Sequence, residues 1–63
     1  MIRTKFGSPV ELISAETDTK GTWLTVRLPN GDTREWSMAD FCADGGAVEL
    51  FEAVRKVQGL QKT

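Results

Sequence analysis

The stretch LPNGDTREW, residues 28–36, connects two β-strands and decides which side chains the fold buries. A two-residue turn made by its Asn-Gly pair would pair Leu28 with Thr33 and divide the apolar residues between the two faces of the hairpin. A three-residue loop that also includes the proline places proline and glycine where their backbone angles are favoured in a type I turn with a bulge. This loop pairs Leu28 with Asp32, and it is the register that we predict.

The predicted register collects apolar side chains on one face of the hairpin, because it sets Leu24 opposite Trp36. The residues that share this inner face are Leu24, Val26, Leu28, Trp36 and Met38. Trp36 is therefore expected in the core, whereas Trp23 is expected on the opposite, outer face. The other outer-face positions are Thr25, Arg27, Thr33, Glu35 and Ser37.

The segment over residues 9–17 is rich in β-branched and apolar residues, which predicts a strand that pairs with the start of the hairpin through a polar four-residue turn. The turn length places Ile13 on the inner face. It places Val10 and Leu12 on the outer face beside Trp23. Both faces of one strand then carry apolar side chains, so either a β-bulge re-aims part of the strand or another element covers the outer face.

The C-terminal part has the pattern of an amphipathic helix over residues 46–58. Its apolar residues recur at helical spacing and are Ala47, Leu50, Phe51, Val54 and Val57. Gly59 suits the position just after a helix, and Leu60 is then expected to fold back onto Val54 of the helix. Glu52 precedes Lys56 by four residues, a spacing at which opposite charges attract along a helix.

Two shorter elements complete the chain. Ser37 suits the N-cap of a single helical turn over residues 38–42 that buries Phe41. The N-terminal IRTKF alternates apolar and polar residues, so we expect an edge strand over residues 2–6. This strand is one candidate for covering the Trp23 face.

The elements predict one α+β domain over residues 1–63, a small antiparallel sheet of three to four strands followed by one C-terminal amphipathic helix. The strands are expected at about residues 2–6, 9–17, 22–28 and 32–38. From about Pro9 to Phe41 the layout resembles SH3-like small barrels, with short strands, tight hairpins and a single helical turn after the fourth strand. The resemblance implies a sheet that curls toward a barrel, although this chain places a helix where such barrels have their last strand and contains no tyrosine.

The length of 63 residues allows one core of modest stability, about 3–5 kcal/mol without a disulfide, a metal or a partner subunit. Cys42 is the single cysteine and histidine is absent, so the sequence offers no intrachain disulfide and no plausible zinc site. Self-association therefore becomes a serious option. An unpaired cysteine also fits a reducing compartment, and the chain begins without a signal-peptide pattern and has no membrane-spanning run, which together predict a cytoplasmic protein.

The charge balance argues against a dedicated nucleic-acid-binding protein. The net charge is −1 and the isoelectric point is about 5.2, whereas such domains usually carry a strongly basic face. The bases that could converge near the chain ends are Arg3, Lys5, Arg55, Lys56 and Lys62. Bases near chain ends also serve solubility, which is the more common reading.

The sequence lacks the residues of a catalytic centre. Without histidine, Cys42 would need a nearby base to become a nucleophile, and its neighbours are acids, so we expect a buried structural thiol. Asp40 and Asp44 flank turn and cap positions where acids serve local hydrogen bonding. The DGGAVE stretch lacks the glycine spacing and the lysine of a phosphate-binding loop. We therefore expect no enzyme, no cofactor, no metal and no small-molecule substrate.

The feature with functional content is Trp23 together with Val10 and Leu12, rimmed by Arg27 and Glu35, because such a patch has the composition of a protein-binding hot spot. The alternative is that the sheet curls and makes Trp23 a second core residue. The patch predicts a small protein-interaction module or a homodimer. The second hypothesis is a nucleic-acid accessory protein in which Trp23 stacks on a base and the terminal lysines and arginines contact phosphates.

Overall fold

The computed structural model describes residues 1–61 of the chain. It has five strands, a 3₁₀ turn and one helix. In chain order these elements are β1 (Ile2–Thr4), β2 (Glu11–Asp18), β3 (Gly21–Arg27), β4 (Thr33–Ser37), the 3₁₀ turn (Met38–Asp40), β5 (Phe41–Ala43) and α1 (Gly46–Gln61). The predicted α+β class is confirmed, with antiparallel strands followed by a C-terminal helix. Within residues 1–61 the strands form two separate sheets, β1-β5 and β2-β3-β4, and not a closed barrel.

The β3–β4 hairpin has the predicted register. The backbone N–H of Leu28 donates to the carbonyl of Asp32 at 2.7 Å, and that of Gly31 donates to the carbonyl of Leu28 at 2.9 Å. Gly31 has a φ of +94°, which glycine adopts without steric cost. Trp36 consequently lies opposite Leu24, and the pairing ends with Trp23 opposite Ser37.

The β2–β3 pairing starts from the predicted turn, since Asp18 lies opposite Gly21 and its carboxylate accepts hydrogen bonds from the N–H groups of Lys20 and Gly21 at 2.7 and 3.1 Å. Ala15 lies opposite Leu24. Beyond that pair the register shifts at a β-bulge between Leu12 and Ser14. The bulge is one of the two alternatives that the two-faced pattern of this strand left open.

The β1–β5 sheet contains one predicted and one unpredicted strand. β1 ends at Thr4, shorter than expected, because Lys5 and Phe6 lie in a turn that the N–H of Gly7 closes on the carbonyl of Thr4 at 2.9 Å. β1 pairs with β5, which directly follows the 3₁₀ turn. The N-terminal strand, one candidate for covering the Trp23 face, therefore pairs with β5 instead.

The 3₁₀ turn begins as predicted, with the Ser37 hydroxyl accepting a hydrogen bond from the N–H of Ala39 at 3.3 Å. Phe41 is buried directly after it and contacts Trp36, with ring centroids 5.9 Å apart. The core joins both sheets to the helix. Its buried apolar residues are Ile2, Ala15, Leu24, Val26, Phe41, Leu50 and Val54.

The helix α1 differs from the prediction in two respects. It continues through Gly59 instead of ending before it, and Leu60 is exposed instead of folding back. The side-chain amide of Gln58 donates to the Thr17 hydroxyl at 3.1 Å, which attaches the last turns of the helix to β2. This attachment offsets the modest cost of a helical glycine, about 1 kcal/mol.

The buried stripe of α1 is also narrower than expected. Leu50 and Val54 are buried, and Ala53 and Val57 pack against the core beside them. Ala47 and Phe51 were expected in the same stripe, but both are exposed. The stripe of the helix that packs on the core is about 100° wide, from Ala53 to Val54. Phe51 lies about 100° around the helix from Leu50 and so leaves the contact.

Candidate protein-interaction site

The outer face of the β2-β3-β4 sheet is the face that carries Trp23, Thr25 and Arg27 of β3. These residues alternate with Leu24 and Val26, which are fully buried on the inner face. The helix packs against the inner face, where Leu50 and Val54 join the core cluster. Trp23 is 37% exposed, so its indole lies at the surface as predicted, whereas Trp36 is half-buried against the core.

The bulge in β2 exchanges the faces of Leu12, a residue of the predicted site, and Ile13, a residue predicted on the inner face. Leu12 lies opposite Val26, which places its side chain on the inner face, where it packs against the core. Ile13 and Ser14 together oppose Thr25, and Ile13 is 39% exposed. The expected positions of Leu12 and Ile13 are therefore wrong, because one inserted residue reverses the alternation of every residue before it.

Val10 also lies away from Trp23. It precedes β2, packs against the core cluster, and donates its backbone N–H to the carbonyl of Ile2 at 3.1 Å. The outer face therefore carries Ile13, at the bulge opposite Thr25, in addition to Trp23, and it does not carry Val10 and Leu12.

The expected rim residues lie on the outer face. Arg27 is opposite Glu11 on one side, where the two side chains form an ion pair at 3.8 Å, and opposite Thr33 on the other. Glu35 lies opposite Thr25 on β4, and Glu16 lies opposite Trp23 on β2. Small hydroxyl residues and both signs of charge therefore surround the exposed indole, which is the composition of an interface rim.

A second apolar surface was not predicted from the sequence. A groove of about 460 Å³ is lined by Thr4, Lys5, Phe6, Ser8, Leu28, Trp36 and Asp40. Phe6 is 85% exposed at its edge. The groove could not be anticipated because it forms where the turn after β1 approaches the base of the β3–β4 hairpin, and that approach depends on the unpredicted pairing of β1 with β5.

The bases near the N-terminus are paired with acids. Arg3 contacts Asp44 at 3.1 Å and Lys5 contacts Asp40 at 3.5 Å. Arg55 and Lys56 are exposed on α1, and Lys62, which belonged to the proposed phosphate-contacting set, lies outside the described residues. The pairing of Arg3 and Lys5 reduces the positive charge that a phosphate backbone would meet.

The α-ammonium group of Met1 is held by Glu49 at the start of α1. The hydrogen bond from this ammonium lowers the pKa of Glu49 below its usual value of 4.5, and the N–H of Gly45, which donates to the same carboxylate at 2.7 Å, acts in the same direction. The same contact raises the pKa of the Met1 amine above 8.0. These shifts follow from stabilisation of two opposite charges by each other.

Cys42 is exposed, so the expectation of a buried structural thiol is wrong. It lies opposite Arg3 in the β1–β5 pair, between two residues whose side chains pack inward, Phe41 and Ala43. Alternation along β5 therefore turns its thiol away from the core, where it contacts the carbonyl oxygen of Thr4 at 3.7 Å. Within residues 1–61 no group of three or more Cys, Asp or Glu side chains is placed to hold a metal ion.

The comparisons with known proteins give no family for this chain: no family model, no curated protein and no solved structure matches it. Among the described residues, no helix is long and apolar enough to cross a membrane. The function is therefore inferred from the chemistry of the chain's own surface.

Proposed function

We propose that this chain is a small non-enzymatic protein-interaction module that binds a partner protein, or a second copy of itself, through the outer face around Trp23. The observation that supports this proposal is the pair of exposed apolar side chains, Trp23 and Ile13, on the sheet face opposite the helix. Tryptophan is among the residues most enriched in binding hot spots.

The environment of Trp23 suits recognition more than solubility. Tryptophan has only two side-chain torsion angles, so little side-chain entropy is lost when a partner covers it. The neighbouring Thr25 and Ser14 are small, so a partner can reach the indole, and Arg27 and Glu35 supply polar contacts at the rim. A partner that places an apolar side chain beside Trp23 would remove both it and Ile13 from water.

The proposed location and the proposed lack of catalysis rest on composition, and the choice of a protein partner rests on ion pairs. An unpaired cysteine is the reason for placing the protein in the reducing cytoplasm. The lack of histidine and of a nucleophile beside a base is the reason for proposing neither catalysis nor a cofactor. The pairing of Arg3 and Lys5 with acids favours a protein partner over the alternative, a nucleic acid.

A capture experiment with three chains tests the proposal. Immobilised wild-type protein, Trp23→Ala and Phe6→Ala are compared, since Phe6 is a second exposed aromatic residue on a different surface. We expect a defined protein to bind the wild type and Phe6→Ala and to be lost with Trp23→Ala. Loss with Phe6→Ala alone would place binding in the groove and contradict the proposal, as would equal binding by all three chains.

Fluorescence quenching provides an independent measurement on the purified protein. In a Trp36→Phe chain the emission comes from Trp23 alone, because the chain contains two tryptophans. Iodide should quench this emission in the free protein and lose access when the captured partner, or a second copy at high concentration, is bound. If iodide does not quench the Trp23 emission in the free monomer, the indole is not accessible and the proposed surface does not exist. A titration with oligonucleotides at low salt should leave the emission unchanged.

A further inference from the structure

The solvent-facing side of α1 carries apolar residues that the core does not use. Val48 is 67% exposed, Phe51 is 56% exposed and Leu60 is 69% exposed. These residues lie on the helix away from the buried stripe of Leu50 and Val54. Val48 and Leu60 belong to one row of residues four apart, whereas Phe51 lies half a turn around the helix from Leu60.

Four residues at a spacing of four form a ridge along this side of the helix, which we call the α1 ridge: Val48, Glu52, Lys56 and Leu60. The ridge has an apolar residue at each end, with an acid and a base between them. Read in the opposite direction, the order is again apolar, charged, charged, apolar, with the signs exchanged. The α1 ridge is therefore complementary to an antiparallel copy of itself.

We propose that two copies of this chain associate through the α1 ridge as an antiparallel dimer with two-fold symmetry. Glu52 of one copy lies beside Lys56 of the other, and the symmetry repeats this ion pair. Val48 of one copy lies toward Leu60 of the other at each end. Ridges of residues four apart pack against each other in the commonest class of helix crossing, at about −50°.

The charges at the centre of the ridge are available for such a contact. Among residues 1–61, neither Glu52 nor Lys56 takes part in an ion pair, although the four-residue spacing would allow one between them. A short chain without a disulfide or a metal also belongs to the class that often gains stability from a second subunit. The inference is independent of the Trp23 proposal, since it uses the opposite side of the molecule's core.

Charge exchange tests the pairing directly. In Glu52→Lys the dimer would bring four lysines together, and in Lys56→Glu it would bring four glutamates together. Sedimentation velocity should show that each variant dissociates at roughly tenfold or more higher concentration than the wild type. The double variant Glu52→Lys/Lys56→Glu should associate again.

A mixture of the two single variants gives the sharpest outcome. One copy then supplies two lysines and the other two glutamates, so a mixed dimer should form from chains that are each monomeric alone. The helix of each variant is unchanged by mixing, which separates contact between copies from any effect on helix stability. Ala39→Lys adds a positive charge in the exposed 3₁₀ turn, outside both the α1 ridge and the outer sheet face, and should not alter this association.

Cysteine crosslinking tests the antiparallel geometry in chains that carry no charge change. In a Cys42→Ala background, Val48→Cys and Leu60→Cys together place two thiols about 18 Å apart along one helix, too far for an intrachain disulfide. Oxidation should therefore give a covalent dimer. A wild-type chain that stays monomeric at every concentration, a mixture that forms no mixed dimer, or association that Trp23→Ala abolishes would each overturn the α1 ridge as the interface.

Discussion

The central hairpin, β3 and β4, and the terminal strand pair, β1 and β5, are both antiparallel but are held together in different ways. The hairpin closes through a loop of three residues and carries the two side chains that are fully buried, Leu24 and Val26. The terminal pair joins strands separated by most of the chain, with three residue pairs. Ion pairs flank it, Arg3 with Asp44 and Lys5 with Asp40.

The difference shows how pairing depends on distance along the chain. A short loop costs little entropy to close, so the hairpin can form from its local pattern alone. The terminal pair closes a much longer loop, so its contacts must offset a larger entropy cost. We expect the hairpin to depend mainly on burial and the terminal pair to depend more on charge and hydrogen bonding.

The largest effect is expected from truncating the hairpin's core. Leu24→Ala should lower the free energy of unfolding by about 2–5 kcal/mol, because it removes a fully buried side chain and leaves a cavity. Such a loss is comparable to the whole stability of about 3–5 kcal/mol that a chain of this size can have. Ile2→Ala truncates β1, whose Ile2 side chain lies at the margin of the core, and should cost less.

Urea unfolding at low temperature measures both variants, with Ile13→Ala as the exposed control. If Ile2→Ala lowers the free energy of unfolding as much as Leu24→Ala does, the terminal pair depends on burial as strongly as the hairpin does. The proposed difference between the two regions would then be wrong.

A smaller effect is expected at the terminal pair from Thr4. Its side chain is buried, and its hydroxyl accepts hydrogen bonds from the N–H groups of Phe6 and Ser8, both at 3.3 Å. Thr4→Val keeps the shape and removes the acceptor, so it should cost about 1–2 kcal/mol. Thr25→Val makes the same change on the outer face of β3 and should be close to neutral. Equal effects from the two variants would show that the hydroxyl of Thr4 does not organise the turn after β1.

Replacing two glycines by alanine, Gly31 in the loop of the central hairpin and Gly59 in α1, is expected to change stability in opposite directions. Gly31 has a φ of +94°, so Gly31→Ala should destabilise the chain by about 1–2 kcal/mol even though nothing lies within 4 Å of the added methyl group. Gly59 lies inside α1 with equally open surroundings, so Gly59→Ala should stabilise it by roughly 0.5–1 kcal/mol. Thermal unfolding monitored by circular dichroism measures both. A stabilising Gly31→Ala would be incompatible with the three-residue loop.

The sequence predicted what local patterns determine. The register at Leu28 and Asp32 follows from where proline and glycine are favoured, and this register alone separates Trp36 from Trp23. The capped turn at Ser37 and the existence of α1 follow from similar short-range signals. These features need no information about distant parts of the chain.

The sequence did not predict what depends on contacts between distant segments. β5 has three residues, too few to show an alternating pattern, and is defined by its pairing with β1. The bulge that exchanges Leu12 and Ile13 was one of two alternatives, and the pattern of the strand did not select between them. The exposure of Phe51 depends on how much of the helix a small sheet can cover. The outer-face position was therefore predicted correctly for Trp23, Arg27 and Glu35 and wrongly for Val10 and Leu12.

The smallest effect is expected from replacing Glu49. The ion pair of Glu49 with the Met1 ammonium makes the stability of the terminal pair depend on pH. Its pKa in the folded protein lies below the usual 4.5, because the Met1 ammonium and the N–H of Gly45 both donate to it. Its stabilising contribution is therefore present above pH 4.5 and is lost as the pH falls through the lowered pKa. The raised pKa of the Met1 amine acts in the opposite sense, so its contribution is present below pH 8.0 and is lost as the pH rises through the raised value.

Glu49→Gln removes the carboxylate that links these two titrations, so the variant should lose stability near neutral pH and depend less on pH at both ends of the range. Hydrogen exchange resolves the effect by region: amides of β1 and β5 should exchange faster in the variant, while those of β3 and β4 change little. Added salt should narrow the difference between wild type and variant, because the contact is exposed. Glu52→Gln, an exposed acid on the same helix without an ion pair among residues 1–61, is the control and should leave the β1 and β5 amides unchanged. If Glu49→Gln accelerates exchange equally in all strands, the terminal pair does not open separately from the hairpin, and charge does not distinguish the two regions.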